Sequence, residues 1–87
     1  MRYTYDDEAD ALYIHIDEKA RPARSIIVDE DRTVDVDEGG RAVGVELVGV
    51  SEGVRLRDLI ERFALHGFEE RFDALEKASF TPLSRAR

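Results

Sequence analysis

Three groupings of side chains have types and spacing that could carry chemistry. Tyr13, His15, Asp35, Asp37 and Glu46 fall on the polar side of alternating, strand-like segments. Carboxylates brought together there beside an imidazole could raise one another's pKa or hold a divalent ion, the equipment of a small metal-dependent hydrolase. A general base also needs an orienting partner and a nucleophile or substrate beside it, and the chain has no cysteine and no serine in a nucleophile motif. Asp6, Glu8 and Asp10 alternate as they would in a metal loop, but the central glycine of a helix-flanked calcium loop is missing. Asp6 is instead placed to cap a single helical turn. His66 stands before Gly67 at a predicted helix end, where a protonated imidazole suits the dipole. The three groupings are read as surface and capping residues, and no catalytic residue, cofactor or metal ligand is assigned.

The elements that must position these residues are legible from periodicity. Thr33 to Val50 is the clearest hairpin: Val34 and Val36 alternate with Asp35 and Asp37, a Glu38-Gly39-Gly40-Arg41 turn follows, and Val43, Val45 and Leu47 alternate with Gly44 and Glu46. Ala11 to Asp17 alternates in the same way, with Leu12, Ile14 and Ile16 on one side. Arg2–Tyr5 and Ser25–Asp29 read as two further strands. Five short-linked strands predict an antiparallel meander. Beyond Gly53 the period becomes helical: Leu56, Leu59, Ile60 and Phe63 form one stripe, ending at His66-Gly67. A second helix spans about Phe68 to Ala78, followed by a tail holding Arg85 and Arg87. The fold class is α+β: a five-stranded antiparallel meander with one face covered by two C-terminal helices, and Val45 and Leu47 facing Leu59, Ile60 and Phe63. The sheet occupies residues 1–53 and the helical hairpin with its tail 54–87, within a single domain.

Composition narrows the function classes. The chain has 87 residues, 43% hydrophobic and 38% charged, with a net charge of -7 and no cysteine, so disulfides and thiolate zinc sites are excluded. No charged-then-apolar leader opens it and no apolar run reaches the ~20 residues of a membrane span, so the expected location is cytoplasmic. The negative field argues against nucleic acid and anionic membrane as partners and favours a basic protein.

Residues 3 to 50 resemble the family called domain of unknown function 2283. The resemblance rests on Tyr5-Asp6, on Glu8-Ala9-Asp10-Ala11-Leu12-Tyr13-Ile14, on Asp35-x-Asp37, and on Gly40-Arg41-x-Val43-Gly44-Val45-Glu46. Thr33 and Val36 stand where bulkier residues are usual. The resemblance implies a small β-rich fold and transfers no catalytic residue. Relatives encoded beside small toxin-like proteins suggest an antitoxin-like role. The helices after Gly53 extend past the family core.

The first functional expectation is therefore a non-enzymatic protein-binding or regulatory module, antitoxin-like, that binds a basic partner. The alternative is the metal-dependent hydrolase on the acidic sheet face. The apolar series Phe68, Phe72, Leu75, Phe80 and Leu83 is expected to contact a partner, a second copy of the chain first of all, giving a homodimer.

Overall fold

A computed structural model describes residues 1–83 of the chain; Arg85 and Arg87 of the expected basic tail lie outside the described residues. Five strands come first: β1 (Arg2–Asp6), β2 (Ala11–His15), β3 (Arg24–Ile27), β4 (Arg32–Val36) and β5 (Ala42–Val48). A single 3-10 turn, Val50–Glu52, leads to α1 (Arg57–Arg62) and α2 (Glu69–Lys77). The architecture is α+β, with every strand pair antiparallel.

The strand order is β1-β2-β5-β4-β3, which departs from a sequential meander at one place. β1–β2 is a hairpin and β3–β4–β5 a local meander, but β2 pairs with β5 instead of β3. The segment between β2 and β3 carries Pro22 and spans about eight residues, longer than the tight turns that force neighbouring strands to pair. The central seam therefore joins the two most apolar alternating strands, β2 and β5.

Alternation sets the core. Leu12, Ile14, Val34, Val36, Val45 and Leu47 are all buried on one side of the sheet, together with Leu56, Leu59, Ile60, Leu65, Phe72 and Leu75 from the helical segment. One expected core position shifts. The register slips between Asp35 and Val36, where Val36 pairs with Ala42 after Asp35 has paired with Gly44. Val43 is the extra residue of a β-bulge, so Ala42 takes the place in the core cluster that strict alternation gives to Val43. Val43 carries the chain past β2 instead, its carbonyl accepting from Ile16 and Asp17.

The first helix is shorter than its stripe suggests. α1 has six residues, Phe63 is its C-cap, and Ala64 turns left-handed at φ 55°. Phe63 packs only partly on the core, while Leu65, past the helix end, is buried instead. A helix this short does not persist alone in water; contacts across the fold hold it. The Glu76 carboxylate of α2 accepts from the Leu56 and Arg57 amides at the start of α1, and Arg57 pairs with Asp73. From the sheet, Arg32 forks onto Asp58 at 2.7 and 3.0 Å. α2 begins after Phe68, where Gly67 has φ 102° and donates to Glu69.

Candidate functional site

Both helices contribute to the core on one face, so the other face of the sheet remains open. Register places its side chains in rows. Thr4, Tyr13, Glu46, Thr33 and Ile27 form one row across all five strands, and Arg2, His15, Gly44, Asp35 and Ser25 form the next. Val48 lies beyond Glu46 on the same face, opposite Ala11. Ile27 is 75% exposed and Val48 39%, two apolar side chains left open on this polar face.

The centre of this face is organised by the absence of a side chain. A Cβ on Gly44 would stand 2.0 Å from the Tyr13 hydroxyl oxygen and 2.6 Å from its ring. Tyr13 therefore lies diagonally across β5, over Gly44, and its hydroxyl donates to Asp35 Oδ2 at 2.7 Å. Ser25 donates to the other oxygen, Oδ1, at 2.6 Å. The His15 ring meets the Tyr13 ring edge-on, with centroids 4.7 Å apart. Side chains of three strands, β2, β4 and β3, are thus tied by one network that passes over β5 on the exposed side of the sheet.

The same geometry limits what chemistry the cluster can perform. Burial of the Tyr13 phenol, its bond to Asp35 and the Asp35 and Glu46 charges push its pKa up to about 12, so it stays a hydroxyl donor at neutral pH. Both Asp35 oxygens already accept from hydroxyls. Of the expected constellation, Tyr13, His15 and Asp35 come together and Glu46 stands beside Tyr13 in register. Asp37 does not join them: its side chain accepts from the Arg41 amide and closes the β4–β5 turn. Among the described residues no three His, Asp or Glu side chains are grouped as a metal would require.

The acidic turn after β1 is likewise built for folding. Asp6 accepts from the Glu8 and Ala9 amides, as its capping role requires. Asp10, left-handed at φ 52°, accepts from the Tyr5 hydroxyl at 2.7 Å and from the Ser51 amide and hydroxyl. It bolts the β1–β2 turn to the end of β5. His66 is exposed and lies 3.5 Å from Glu69 near the start of α2.

The expected contact series divides. Phe72 and Leu75 are buried within the chain's own core, at 1% and 4% exposure, because α2 packs onto the sheet beside the short α1. They are unavailable to a partner in this conformation. Phe68 is half-buried against Phe72, and Phe80 half-buried against Tyr5 with ring centroids 4.9 Å apart. Leu83 is 54% exposed while its amide donates to the Asp7 carbonyl.

Two features escape sequence patterning. Ser25 stands at the start of a strand with no local sign that Asp35 lies opposite. Arg32 reads as a turn charge but is 7% exposed, its guanidinium bonded to Asp29, Asp58 and the Arg55 carbonyl. Gly44 did carry a signal: a glycine within strict alternation marks a close approach of something to the backbone.

Fold and site define a small α+β protein with one helix-covered sheet face and one open, polar face. No helix among the described residues is long and apolar enough to cross a membrane. The chain belongs to the family described as protein of unknown function (DUF2283), whose model matches residues 2–51. That span holds all five strands and Ser51, and with them the Tyr13–Asp35 and Tyr5–Asp10–Ser51 networks; α1 and α2 lie outside it. No curated protein and no solved structure gives a significant match to the chain.

Proposed function

We propose that this protein is a non-enzymatic binding or regulatory module whose open sheet face docks a basic partner protein, in the manner of an antitoxin. The observation that carries the reading is that face itself: Ile27 and Val48 are exposed on the same face as Tyr13, His15 and Glu46, on a sheet whose other side already has its cover. Its acids are Asp6, Asp35 and Glu46. Of its cations, Arg2 is already held by Glu18 at 2.8 Å, so the surface offered to a partner is acidic, as is the body at -7. Steering of a basic protein and suppression of acidic competitors follow from that complementarity. Self-association through Phe68, Phe80 and Leu83 belongs to the same reading as a secondary contact, since these three retain accessible surface.

The test is capture of a partner from the native host, followed by titration of the purified partner against the full chain and a Glu46→Lys/Val48→Lys variant. The expected result is a basic partner whose affinity falls as salt rises from about 50 to about 300 mM and drops by at least about tenfold in the variant, with unchanged circular dichroism. A partner that binds the variant as tightly as the parent overturns the open-face assignment.

A further inference from the structure

β3 is an edge strand whose outer side is bare. Among the described residues it pairs only with β4. Val28 donates to Arg32, which fixes the phase of the ladder: Ile26 and Val28 turn their peptide groups toward β4, and Ser25 and Ile27 turn theirs outward. Natural edges are protected by proline, bulges or charges within the strand. β3 carries one charge, Arg24 at its first position, and none over Ser25-Ile26-Ile27-Val28, where Ile27 is 75% exposed.

The charges stand at the two ends and are of opposite sign. Arg21 and Arg24 precede the apolar stretch, and Glu30 and Asp31 follow it. All four are exposed, and none takes part in the ion pairs formed among the described residues. The other edge strand, β1, also has a basic start and an acidic end, but its charges are committed. Arg2 bonds Glu18, and the Asp6 carboxylate accepts from the Glu8 and Ala9 amides.

We propose that two copies of this chain pair β3 against β3, antiparallel about a twofold axis at Ile27, forming one sheet continuous across both molecules. This register sets Ile27 opposite its twin and lets their outward N–H and C=O groups bond reciprocally. It also lays Arg24 of each copy opposite Glu30 of the other. A parallel pairing would bring like charges together, so the charge pattern itself selects a second copy running the other way. The net charge of -7 opposes approach, but that repulsion is screened beyond about 8 Å at physiological salt, whereas the strand ends touch. A single short edge buries well under the ~1,600 Å² of a standard interface, so the dimer dissociates in the micromolar range or weaker. This interface shares only Ile27 with the open face, where partner docking is tested at Glu46 and Val48, so either can fail alone.

Sedimentation equilibrium of the full chain up to about 1 mM provides the test, with circular dichroism as the fold control. The parent is expected to dimerise, and Ile27→Lys to remain monomeric at about tenfold higher concentration. Arg24→Glu and Glu30→Arg should each weaken dimerisation. Mixing those two variants should restore it, because each then meets an opposite charge at both ends. A parent that is monomeric at the highest concentration overturns the proposal. So does a dimer insensitive to Ile27→Lys, or a mixture that associates no better than either variant alone.

Discussion

Replacing Gly44 by alanine tests the organisation of the open face through a reversal of sign. In an ordinary strand this change is neutral or favourable, because glycine costs roughly 0.5–1 kcal/mol relative to alanine through its backbone entropy. Here the new Cβ would stand 2.0 Å from the Tyr13 hydroxyl oxygen and 2.6 Å from the ring carbon bearing it. The strand cannot move without disturbing Val45 and its neighbours, so the ring must swing away. The departing phenol loses its bond to the Asp35 carboxylate, worth about 1.5–3 kcal/mol for a charged acceptor, and its packing over β5 and against His15. Set against the backbone gain, Gly44→Ala should cost about 1.5–3 kcal/mol, a substantial part of the stability of a domain this small. In a Tyr13→Ala background the obstruction is gone, and the same substitution should stabilise by about 0.5–1 kcal/mol. Urea unfolding followed by circular dichroism measures both arms of the cycle at one temperature. An equal effect of Gly44→Ala in the two backgrounds would refute the argument that the glycine exists to seat Tyr13.

Other outcomes follow from the core and its ion pairs. Phe72→Ala, at a site 1% exposed, should cost ~3–5 kcal/mol, whereas Phe63→Ala, at the half-buried end of α1, should cost less than half as much; thermal denaturation of both settles the ranking. Bonds from Arg32 hold the Asp29 and Asp58 carboxyls below the usual carboxylate range. Their stabilisation is present above the unfolded pKa near ~4 and is lost as pH falls through the lower folded values. Melting temperature should therefore decline below about pH 4, and more shallowly in an Asp58→Asn variant, which differential scanning calorimetry across pH can check. At the alkaline end the phenol of Tyr13, raised to about 12, stabilises below its unfolded value of ~10 and ceases to do so as pH rises through the folded value. Tyr13→Phe should accordingly flatten the loss of stability between about pH 10 and 12.

Much of the fold could be read from residues alone because its determinants are local. Alternation at Leu12–Ile14, Val34–Val36 and Val45–Leu47 encodes which side of each strand is buried, and Gly67 marks the turn that leads into α2. The β2–β5 pairing was not legible, since no short-range pattern in either strand names its neighbour. The bulge at Val43 was hidden too, because it depends on the partner strand's register. The shortness of α1 escaped for a related reason: apolar periodicity continues through Phe63, but the left-handed Ala64 and the side chains of Glu76 and Asp58 decide where the helix lies. At the open face, alternation placed Tyr13, His15 and Asp35 on one side of the sheet. It could not distinguish Asp37, whose local bond to Arg41 wins over the face, nor supply Ser25, which arrives only through the pairing of β3 with β4.

The strand order also bears on how the molecule comes to be. β1 with β2, and β3 with β4 and β5, each close over short stretches of chain. The seam between β2 and β5 joins residues roughly thirty or more positions apart, and its loop-closure entropy is the largest in the sheet. Until that seam zips, β2 and β5 are both free edges, and β5 carries more buried aliphatic side chains than any other strand. The nascent chain must be made past Val48 before the seam can close, so the inner edge of β2 emerges from the ribosome about thirty residues ahead of the strand that covers it.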